Sequence, residues 1–486
     1  MTPASRLERG LVWFRTDLRL DDNTALYRAV KQCAAVAGIF LACPGSWRRH
    51  NEGDPLIAFR LACLRELQSS LAERNIPLYF LELHDFSRVP RALQQVAKKL
   101  RIDTLFANAE YPLNEQRRDA AVREALEGVG VRVEYCSDRT LAPPGSLKTG
   151  GGEAYKVFTP FKRAFISQWG ADAFKPLPAP GKTGVASWPR WLEVAGPSNL
   201  VQTLPDTVSG YPAVPVHRGR LYGWLPGEKA ARQRLQAFRQ VMDSYAAQRD
   251  FPAIDATSRL SPYLNCGAIS VRRCAYTALT CNQGRWTGGS EGASCWLSEL
   301  LWREFYTHLI VAFPRLCMGR PFKLETDAVP WSANRAQFAR WCRGATGVPI
   351  VDAAMRQLQQ TGWMHNRLRM IVASFLSKNL LLDWRWGERF FMQHLIDGDF
   401  AANNGGWQWA ASTGTDAAPY FRVFNPYSQS QKFDPNGEFI RRFVPELAGL
   451  GDAEIHCPPR LSTYPQPICD VRETRKRAIQ VFAQLK

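Results

Sequence analysis

Short apolar runs rich in β-branched and aromatic residues alternate with helical stretches over the first 140 residues of the chain. One such helical stretch covers residues 56–74 and separates two of the runs. Strands that alternate with helices in this way predict a parallel α/β sheet. The predicted strands are residues 11–14, 35–42, 78–83, 104–107 and 131–135.

The hydrophobic pattern changes twice further along the chain. Between residues 175 and 215, eight prolines lie among Gly, Ser and Thr with little periodicity, which predicts a linker that runs over a surface. From about Arg220 onward the apolar spacing is helical almost throughout. We therefore expect a Rossmann-like parallel-sheet domain at 1–140, an interdomain linker at 141–219 and a helical domain at 220–486.

Residues 361–424 concentrate polar groups in an otherwise apolar background. This stretch contains five tryptophans, the run Asp397-Gly398-Asp399 and the pair Asn403-Asn404. An unpaired buried polar group costs about 1 to 3 kcal/mol. So many polar groups beside so many aromatic rings indicate that a large ligand with polar edges satisfies them.

The start of that stretch has helical spacing. If residues 363–370 form a helix, one face presents a mixed set of side chains, namely Trp363, Asn366, Arg367, Met370 and, one turn later, Ser374. Such a face suits a flat heteroaromatic molecule with hydrogen-bonding edges. A core helix with a snorkelling arginine explains the same pattern.

A second candidate ligand site lies near the start of the helical part, in Thr257-Ser258-Arg259-Leu260-Ser261-Pro262. Ser261 is a candidate N-cap and Pro262 a candidate first helical residue. Hydroxyl groups and an arginine beside a helix N-terminus would suit a pyrophosphate. A simple capped turn explains Ser261 and Pro262 equally well.

The next predicted helix carries Trp296, Glu299 and Arg303 on one face. Glu299 and Arg303 are four residues apart, which predicts an ion pair on the helix. If the helix is exposed, that pair contributes only about 0.3 to 0.5 kcal/mol.

The charge of the chain indicates a polyanionic partner. Lys and Arg number 62 against 44 Asp and Glu, which gives a net charge of +18 without a basic tail. A basic folded surface favours nucleic acid ahead of a membrane. A solvated basic face without a partner is the alternative.

Several other classes of chemistry lack a signal in the sequence. The twelve cysteines show no CxxC or metal-site spacing, so we expect reduced thiols and no metal. The first predicted strand is not followed by GxGxxG, which argues against a nicotinamide enzyme. The opening residues have no signal-peptide core and no run of 18 apolar residues occurs, so we expect a soluble cytoplasmic protein without membrane contact.

Three blocks of the sequence together carry a family resemblance. They are LVWFRTDLRLDDN from Leu11, YKVFTPF from Tyr155 and residues 362–424. With them, nearly the whole chain resembles the photolyase/cryptochrome flavoproteins, most closely the bacterial class I cyclobutane pyrimidine dimer photolyases. The resemblance implies an antenna domain, a helical domain that binds FAD, which is active when reduced, and light-dependent repair of pyrimidine dimers in DNA by a monomer.

The resemblance also implies which residues bind FAD. Arg369 with Asp397 matches the pair beside the isoalloxazine ring, and Asn403 takes the place beside its N5 atom. The other matched flavin contacts are Tyr245, Thr257, Ser258, Arg259, Leu260, Ser261, Trp296, Arg303, Gly398 and Asp399.

Substrate residues carry over in the same way. The matched positions that would hold a flipped-out dimer are Glu299, Asn366, Met370, Trp302 and Trp409. Glu299, Trp302 and Asn366 also count among the matched DNA contacts, with Arg249, Arg303, Tyr306, Arg367, Arg422 and Gln429. Photolyases that act on (6-4) products carry histidines on the helix at Asn366 and Met370, so the pattern here favours cyclobutane dimers.

Two further groups of residues match the family. Trp407, Trp384 and Trp331 resemble the tryptophan chain that carries electrons to an oxidised flavin. His50, Asn114 and Glu115 match contacts to a folate antenna, 5,10-methenyltetrahydrofolate, although Met318 stands where a lysine is common.

Two other classes of function stay open. One is a light-sensing cryptochrome, which often carries a long signalling tail, whereas this chain ends about sixty residues after Phe424. The other is a nucleic-acid-binding flavoprotein without repair activity, in which we would expect the dimer pocket to be damaged.

Overall fold

The structure is a computed structural model that describes residues 7–184, 186–193, 199–217 and 219–485. Its first part alternates strands with helices, as the hydrophobic pattern predicts. In chain order these elements are β1 (Leu7–Phe14), α1 (Thr24–Gln32), β2 (Cys33–Ala42), α2 (Pro44–Arg49), α3 (Asp54–Ala72), β3 (Leu78–Glu82), α4 (Val89–Leu100), β4 (Thr104–Asn108), α5 (Leu113–Glu127) and β5 (Arg132–Cys136).

These five strands form a parallel sheet in the order β5-β4-β1-β2-β3. In register, Val12 of β1 lies opposite Gly38 of β2 and Phe106 of β4. The chain winds outward from β1 to β3 and then crosses to β4 on the other side of β1. The order therefore reverses between β1 and β4, where α/β sheets form a ligand crevice at the carboxyl ends of their strands.

The linker contributes to the sheet, which the sequence did not indicate. It contains α6 (Phe158–Gln168), β6 (Trp191–Glu193), β7 (Asn199–Val201) and β8 (Val216–His217), and β9 (Arg220–Leu221) follows directly after it. β7 pairs antiparallel with β3, and β6 pairs antiparallel with β7, so the sheet has seven strands in the described residues. The strands β6 and β7 were not predicted because each has only three residues and lies in a proline-rich segment without hydrophobic periodicity. Residues 185, 194–198 and 218 of the predicted linker lie outside the described ranges.

The remainder of the chain is helical, as expected. Its helices are α7 (Glu228–Val241), α8 (Tyr245–Gln248), α9 (Ser261–Cys266), α10 (Val271–Cys281), α11 (Glu291–Ala312), α12 (Arg335–Cys342), α13 (Pro349–Thr361), α14 (Asn366–Ser374), α15 (Trp384–His394), α16 (Phe400–Ala411), α17 (Pro426–Phe433), α18 (Glu438–Phe443) and α19 (Val471–Ala483). No helix in the described ranges has both the length and the apolarity needed to cross a membrane. The domain boundaries at residues 140 and 219 stay predictions.

Two helix starts differ from the sequence interpretation. α14 begins at Asn366, because Gly362 ends α13 with φ +63° and the His365 side chain caps the next helix. Trp363 therefore precedes α14 and does not share its face. Ser261 is the first helical residue of α9, and its side chain does not cap the helix, for which Leu260 is the N-cap residue.

A buried charge network joins the sheet to the helical part. Asp138, which follows β5, accepts hydrogen bonds from Arg19 after β1 and from Arg272 of α10, the latter at 2.7 Å. Asp22 accepts from Arg272 and from Ser270 at the start of α10. Burial alone would raise the pKa of Asp138, but the two arginines hold it below its usual range.

The apolar cores follow the same division. One core fills one face of the sheet against α4 and α5, with Leu11, Ile39, Leu93 and Val122 among its members. A second core covers the opposite face and continues into α9 to α11. A third core, around Trp341, Trp384 and Trp407, lies within the helical part from α12 to the start of α19. Because the second core spans the seam, the sheet and the helices form one continuous packed body.

Glu304 of α11 lies on this seam and is fully buried. Its Oε2 accepts a long hydrogen bond of 3.5 Å from the backbone N–H of Ala142, and its Oε1 accepts none from any described residue. Burial raises the pKa of Glu304 to about 7, against the opposing charge of Arg303. A raised carboxyl pKa means that ionisation opposes folding. This penalty is absent below pH 4.5 and complete above pH 7.

We therefore expect Glu304→Gln to stabilise the protein at high pH. The free energy of unfolding at pH 8 should rise by up to about 3 kcal/mol, with little difference near pH 4.5. Urea unfolding at both pH values measures this. Glu291→Gln, exposed on the same helix, is the control and should change stability by less than about 0.5 kcal/mol at either pH. Equal effects of Glu304→Gln at both pH values would contradict the assignment.

Candidate functional site

A cavity of about 390 Å³ lies between the sheet and the helical part. The sheet side is formed by loops at the carboxyl ends of its strands, with Thr16 after β1, His50 after β2, Glu110 after β4 and Arg139 after β5. This is the edge at which the strand order reverses. The helical side comes from α9, α11, α15 and the start of α16.

Arg139 connects the two sides of the cavity. Its guanidinium lies 3.5 Å from Glu110 of the sheet domain and 3.7 Å from Asp399 at the start of α16. Its backbone carbonyl accepts a hydrogen bond of 2.7 Å from Arg303 of α11. Four charged residues of the helical and sheet parts thus meet at one wall.

The structure brings the three predicted antenna residues together on the cavity wall. The His50 Nε2 atom lies 2.9 Å from the Asn114 amide nitrogen, and its Nδ1 atom lies 3.4 Å from the Glu115 carboxylate. Burial lowers the pKa of His50, but the hydrogen bond and charge of Glu115 outweigh burial and raise it. Met318 is 67% exposed and follows Cys317 of the cavity wall.

Of the predicted flavin residues, three line this cavity, namely Arg303, Gly398 and Asp399. Asp399 also caps α16 by accepting a hydrogen bond of 3.0 Å from the Ala402 N–H. Asn265 lies on the same wall, and its buried Nδ2 has no hydrogen-bond partner among the described residues. The cavity therefore offers an unpaired donor and a guanidinium to a polar ligand, which fits a flavin nucleotide.

Arg369 and Asp397 form the pair that the resemblance implies. The Arg369 Nη2 atom donates to both carboxylate oxygens of Asp397, at 3.0 and 2.8 Å. Asp397 is almost fully buried, while the Arg369 side chain retains 27% of its exposure. Arg369 also donates to the Met364 carbonyl, which fixes the guanidinium on both sides.

The remaining flavin candidates lie on other walls of the helical part. Tyr245 and Trp296 both pack on Phe238, with ring centroids 5.5 and 4.9 Å away. Asn403 donates to the Glu388 carbonyl at 3.0 Å. None of these residues lines the 390 Å³ cavity.

The turn from Thr257 to Ser261 is held by residues outside it. Arg234 of α7 donates to the carbonyls of Thr257 and Ser258, each at 2.9 Å. Trp363 donates from its indole nitrogen to the Ser261 hydroxyl at 3.3 Å. The backbone of Arg259 adopts φ +48°, a conformation that is uncommon for residues other than glycine. With its carbonyls bound by Arg234, the turn has a fixed backbone.

The predicted ion pair between Glu299 and Arg303 does not form. Glu299 instead accepts a hydrogen bond of 2.5 Å from Arg249, which follows α8, while Arg303 turns to the Arg139 carbonyl. The pair is partly buried, with side-chain exposures of 18% for Arg249 and 31% for Glu299. Arg249 was predicted as a surface contact to DNA, and the structure ties it to a residue of the predicted dimer pocket.

The other substrate candidates surround α11 and α14. Trp302 and Tyr306 of α11 have ring centroids 5.6 Å apart. Asn366 and Met370 lie one turn apart on α14, and Trp409 packs on Phe424 at 6.4 Å. Of the predicted DNA contacts, Arg422 is exposed and Gln429 is half-buried, while Arg367 forms an ion pair of 2.6 Å with Asp250.

Two of the three tryptophans of the predicted electron chain lie in the core of the helical part, and the third lies nearer the surface. Trp407 and Trp384 are buried, and Trp331 is partly exposed. Trp407 packs on α15 so closely at Gly387 that a Cβ there would overlap its ring. A backbone bridge between Ser332 and Leu382 places Trp331 beside the residues that precede Trp384. Of the three, Trp331 therefore lies nearest the surface.

Three residues of the site were not predicted from the sequence. They are Arg139, Asn265 and Glu388, of which Glu388 accepts hydrogen bonds from Asn403 and Asn404. Arg139 and Asn265 lie outside the blocks that the sequence pattern marks, whereas Glu388 lies within residues 361–424 but has no feature there that distinguishes it. Only the fold brings the three residues to the cavity. The strand-order reversal would have indicated the region of Arg139 once the order of strands was known.

Comparison with family models follows the same division of the chain. A model described as DNA photolyase matches residues 10–181, and one described as the FAD binding domain of DNA photolyase matches residues 296–484. With the cavity at the sheet edge and the Arg369–Asp397 pair, these matches define a flavoprotein with a sheet domain and a helical FAD-binding domain.

Comparison with individual proteins identifies which flavoproteins of this class the chain is similar to. The deoxyribodipyrimidine photo-lyase of Vibrio cholerae is 45% identical over 98% of this chain and 99% of its own. A class III photolyase structure from Agrobacterium tumefaciens superposes with a TM-score of 0.86 at 34% identity and covers 100% of this chain and 99% of that one. A photolyase from Sulfolobus tokodaii solved with two FAD molecules gives a TM-score of 0.78 at 30% identity, covering 98% and 99%.

The chain belongs to the deoxyribodipyrimidine photo-lyase family. The family, the fold class and the FAD cofactor expected from the sequence are thereby confirmed.

The geometry of Glu299 predicts a specific energetic coupling. In a double-mutant cycle of Arg249→Ala and Glu299→Ala, we expect a coupling energy of about 1 kcal/mol in urea unfolding, since the pair is partly buried. The cycle of Glu299→Ala with Arg303→Ala is the matched control and should give less than about 0.5 kcal/mol. A larger coupling in the control cycle would show that the helix-internal pair forms instead.

Proposed function

We propose that this protein repairs cyclobutane pyrimidine dimers in DNA by light-driven electron transfer. One observation carries the proposal: α11 presents the flavin candidates Trp296 and Arg303 and the dimer candidates Glu299 and Trp302 within two turns. Residues that would hold the electron donor and the lesion are thus adjacent on one rigid element. The family relationship and the net charge of +18 support the same substrate.

The lesion itself explains the type of residues present. A cyclobutane dimer has no leaving group, so nucleophilic or acid–base catalysis has little to act on. Reduced FAD, when bound and excited by light, supplies the electron that opens the ring and receives it back. The role left to the protein is to hold the lesion against the donor and to exclude water.

Each side chain of the pocket has a role that follows from its chemistry. Trp302 and Trp409 would replace the stacking that a base loses when it leaves the helix. Glu299 and Asn366 would hydrogen-bond the base edges, and the bond from Arg249 holds the Glu299 carboxylate in place. Met370, one turn from Asn366, would provide an apolar contact beside them.

The DNA backbone would contact the rim of this pocket. Arg422 is exposed on the surface, where it would bind phosphate, and Gln429 is half-buried on α17. Arg367 would either keep its bond to Asp250 or exchange it for a phosphate. Arg303 and Tyr306 complete the proposed contacts. We propose that the protein acts on DNA as a cytoplasmic monomer.

Trp407, Trp384 and Trp331 would supply electrons to an oxidised flavin. An indole is readily oxidised, and a buried ring that neighbours a second and a third indole allows short hops toward the surface. The partial exposure of Trp331 supports its place as the outer end, where an external reductant can reach it.

We further propose that the part of the cavity lined by His50, Asn114 and Glu115 holds a light-harvesting chromophore, 5,10-methenyltetrahydrofolate, apart from the wall of Arg303, Gly398 and Asp399 that suits the flavin. The polar cluster of His50, Asn114 and Glu115 supports a heteroaromatic ring with hydrogen-bonding edges. Met318 cannot supply the charge of the lysine common in folate-binding relatives, and the Sulfolobus photolyase carries a second FAD. The absorption spectrum of chromophore released by acid distinguishes a folate from a second flavin.

Damage-specific binding tests the repair function. DNA with one cyclobutane dimer should bind at least tenfold more tightly than the same duplex undamaged, because a stacking pocket is filled only by the lesion. Affinity for both should fall steeply as salt rises. Fluorescence anisotropy over a salt series measures both. Equal affinities at moderate salt would favour a nucleic-acid-binding flavoprotein without repair activity.

The Trp407→Phe variant separates photoreduction from repair. Phenylalanine keeps most of the ring volume but is much harder to oxidise, so light should no longer bleach the oxidised flavin. Dimer loss after dithionite reduction should persist, because that electron travels only between flavin and lesion. Trp286→Phe, also buried but packed on Phe165 and Phe174, is the matched control and should behave like the wild type. Normal photoreduction in the Trp407→Phe variant would show that Trp407 is not part of the electron-transfer chain.

A further inference from the structure

Phe158 lies flat on Trp302, the proposed wall of the dimer pocket. The two ring centroids are 3.7 Å apart and the planes differ by 10°. Phe158 is the first residue of α6, so it comes from the linker, whereas Trp302 belongs to the helical part. Because a ring at this distance covers one whole face of the indole, a stacked base can use only the opposite face.

Other aromatic rings fix the edges of Trp302. Phe305 meets both rings edge-on, at 5.8 Å from Trp302 and 5.9 Å from Phe158. Tyr306 lies 5.6 Å from Trp302 and is itself pressed against Gly405 of α16, where a Cβ would overlap the phenol ring. The Trp302 plane is therefore set by its neighbours and not by its rotamer alone.

The surface loop 412–424 holds Phe158 in this position. The Asp416 carboxylate accepts a hydrogen bond of 3.0 Å from the Phe158 N–H, and the Thr415 hydroxyl donates to the Lys156 carbonyl. Asp416 adopts φ +47°, which aspartate tolerates better than most residues. Burial and the charges of Asp416 and Glu299 raise the pKa of Tyr306, so Asp416 also lies near the ring cluster.

We propose that Phe158 and Asp416 are positioning residues for lesion recognition. Phe158 supports one face of Trp302 so that the free face is presented to a flipped-out pyrimidine pair, and Asp416 anchors Phe158 to the loop that carries Arg422. The linker is then part of the substrate site. This inference rests on the proposed function, because it assigns the residues that orient its pocket.

The test compares variants that keep or remove the supporting ring. Phe158→Leu keeps apolar volume without a flat face and should weaken binding of dimer-containing DNA about tenfold, while undamaged DNA binds within twofold of the wild type. Phe158→Tyr keeps the ring and should restore dimer affinity to within about threefold. The flavin content should stay unchanged, since Phe158 is not among the residues matched to flavin contacts.

Two further variants make the test specific. Phe165→Leu is the control: it removes another buried ring of α6, one that packs on Trp169 and Trp286. This variant should bind dimer-containing DNA as tightly as the wild type. Asp416→Ala removes the acceptor at an exposed position and should weaken dimer binding about threefold or more, whereas Asp416→Asn retains an acceptor oxygen and should not. If Phe158→Leu does not fold, Asp416→Ala still tests the positioning role through its affinity for dimer-containing DNA.

The outcomes are distinguishable from failure of the proposed function. If the wild-type protein bound dimer-containing and undamaged DNA equally, both the proposed repair function and the positioning role of Phe158 and Asp416 would be overturned. A wild-type preference that survives in Phe158→Leu and Asp416→Ala would overturn only the positioning role. Tighter dimer binding by Phe158→Leu would also overturn it, since Phe158 would then occupy the place of the lesion. If Phe158→Leu weakened binding of dimer-containing and undamaged DNA equally, Phe158 would have only a structural role, and the positioning role would be overturned.

Discussion

The charge network between Arg19, Asp138, Arg272 and Asp22 determines how the two parts of this protein meet. Removing one partner of such a buried ion pair costs about 3 to 5 kcal/mol, because the other charge is left without compensation. The network lies at the carboxyl edge of the sheet, beside the cavity. Since one wall of the cavity comes from strand loops and the other from helices, its shape depends on this seam.

The regular elements were largely predictable from the hydrophobic pattern, and the exceptions have physical reasons. β1 to β4 contain buried apolar runs whose composition favours strands, whereas the edge strand β5 is only partly buried. β6 and β7 are three residues long and exist because β3 offers an unpaired edge, which no local pattern reports. Likewise Trp363 fits the helical spacing of its neighbours, but Gly362 and the His365 cap interrupt the backbone between them.

The site was predictable where the resemblance supplied long-range information. It paired Arg369 with Asp397 and grouped His50, Asn114 and Glu115, residues that the fold brings to one place. Local rules were weaker. Spacing of four residues on α11 predicted a bond between Glu299 and Arg303, but Arg249 and Arg139 offer these groups better partners from other segments. Competition between near and distant partners is decided by tertiary packing, which spacing rules do not include.

The two short strands of the linker have a consequence for solubility. Without them β3 would present an unpaired row of backbone N–H and C=O groups at the sheet edge, and such an edge can recruit strands from other molecules. β7 pairs with β3 at Phe80, in the middle of that edge, and the outermost strand β6 is only three residues long. A very short outer strand is a poor template for further pairing. The connection between the domains thus also protects the chain against aggregation.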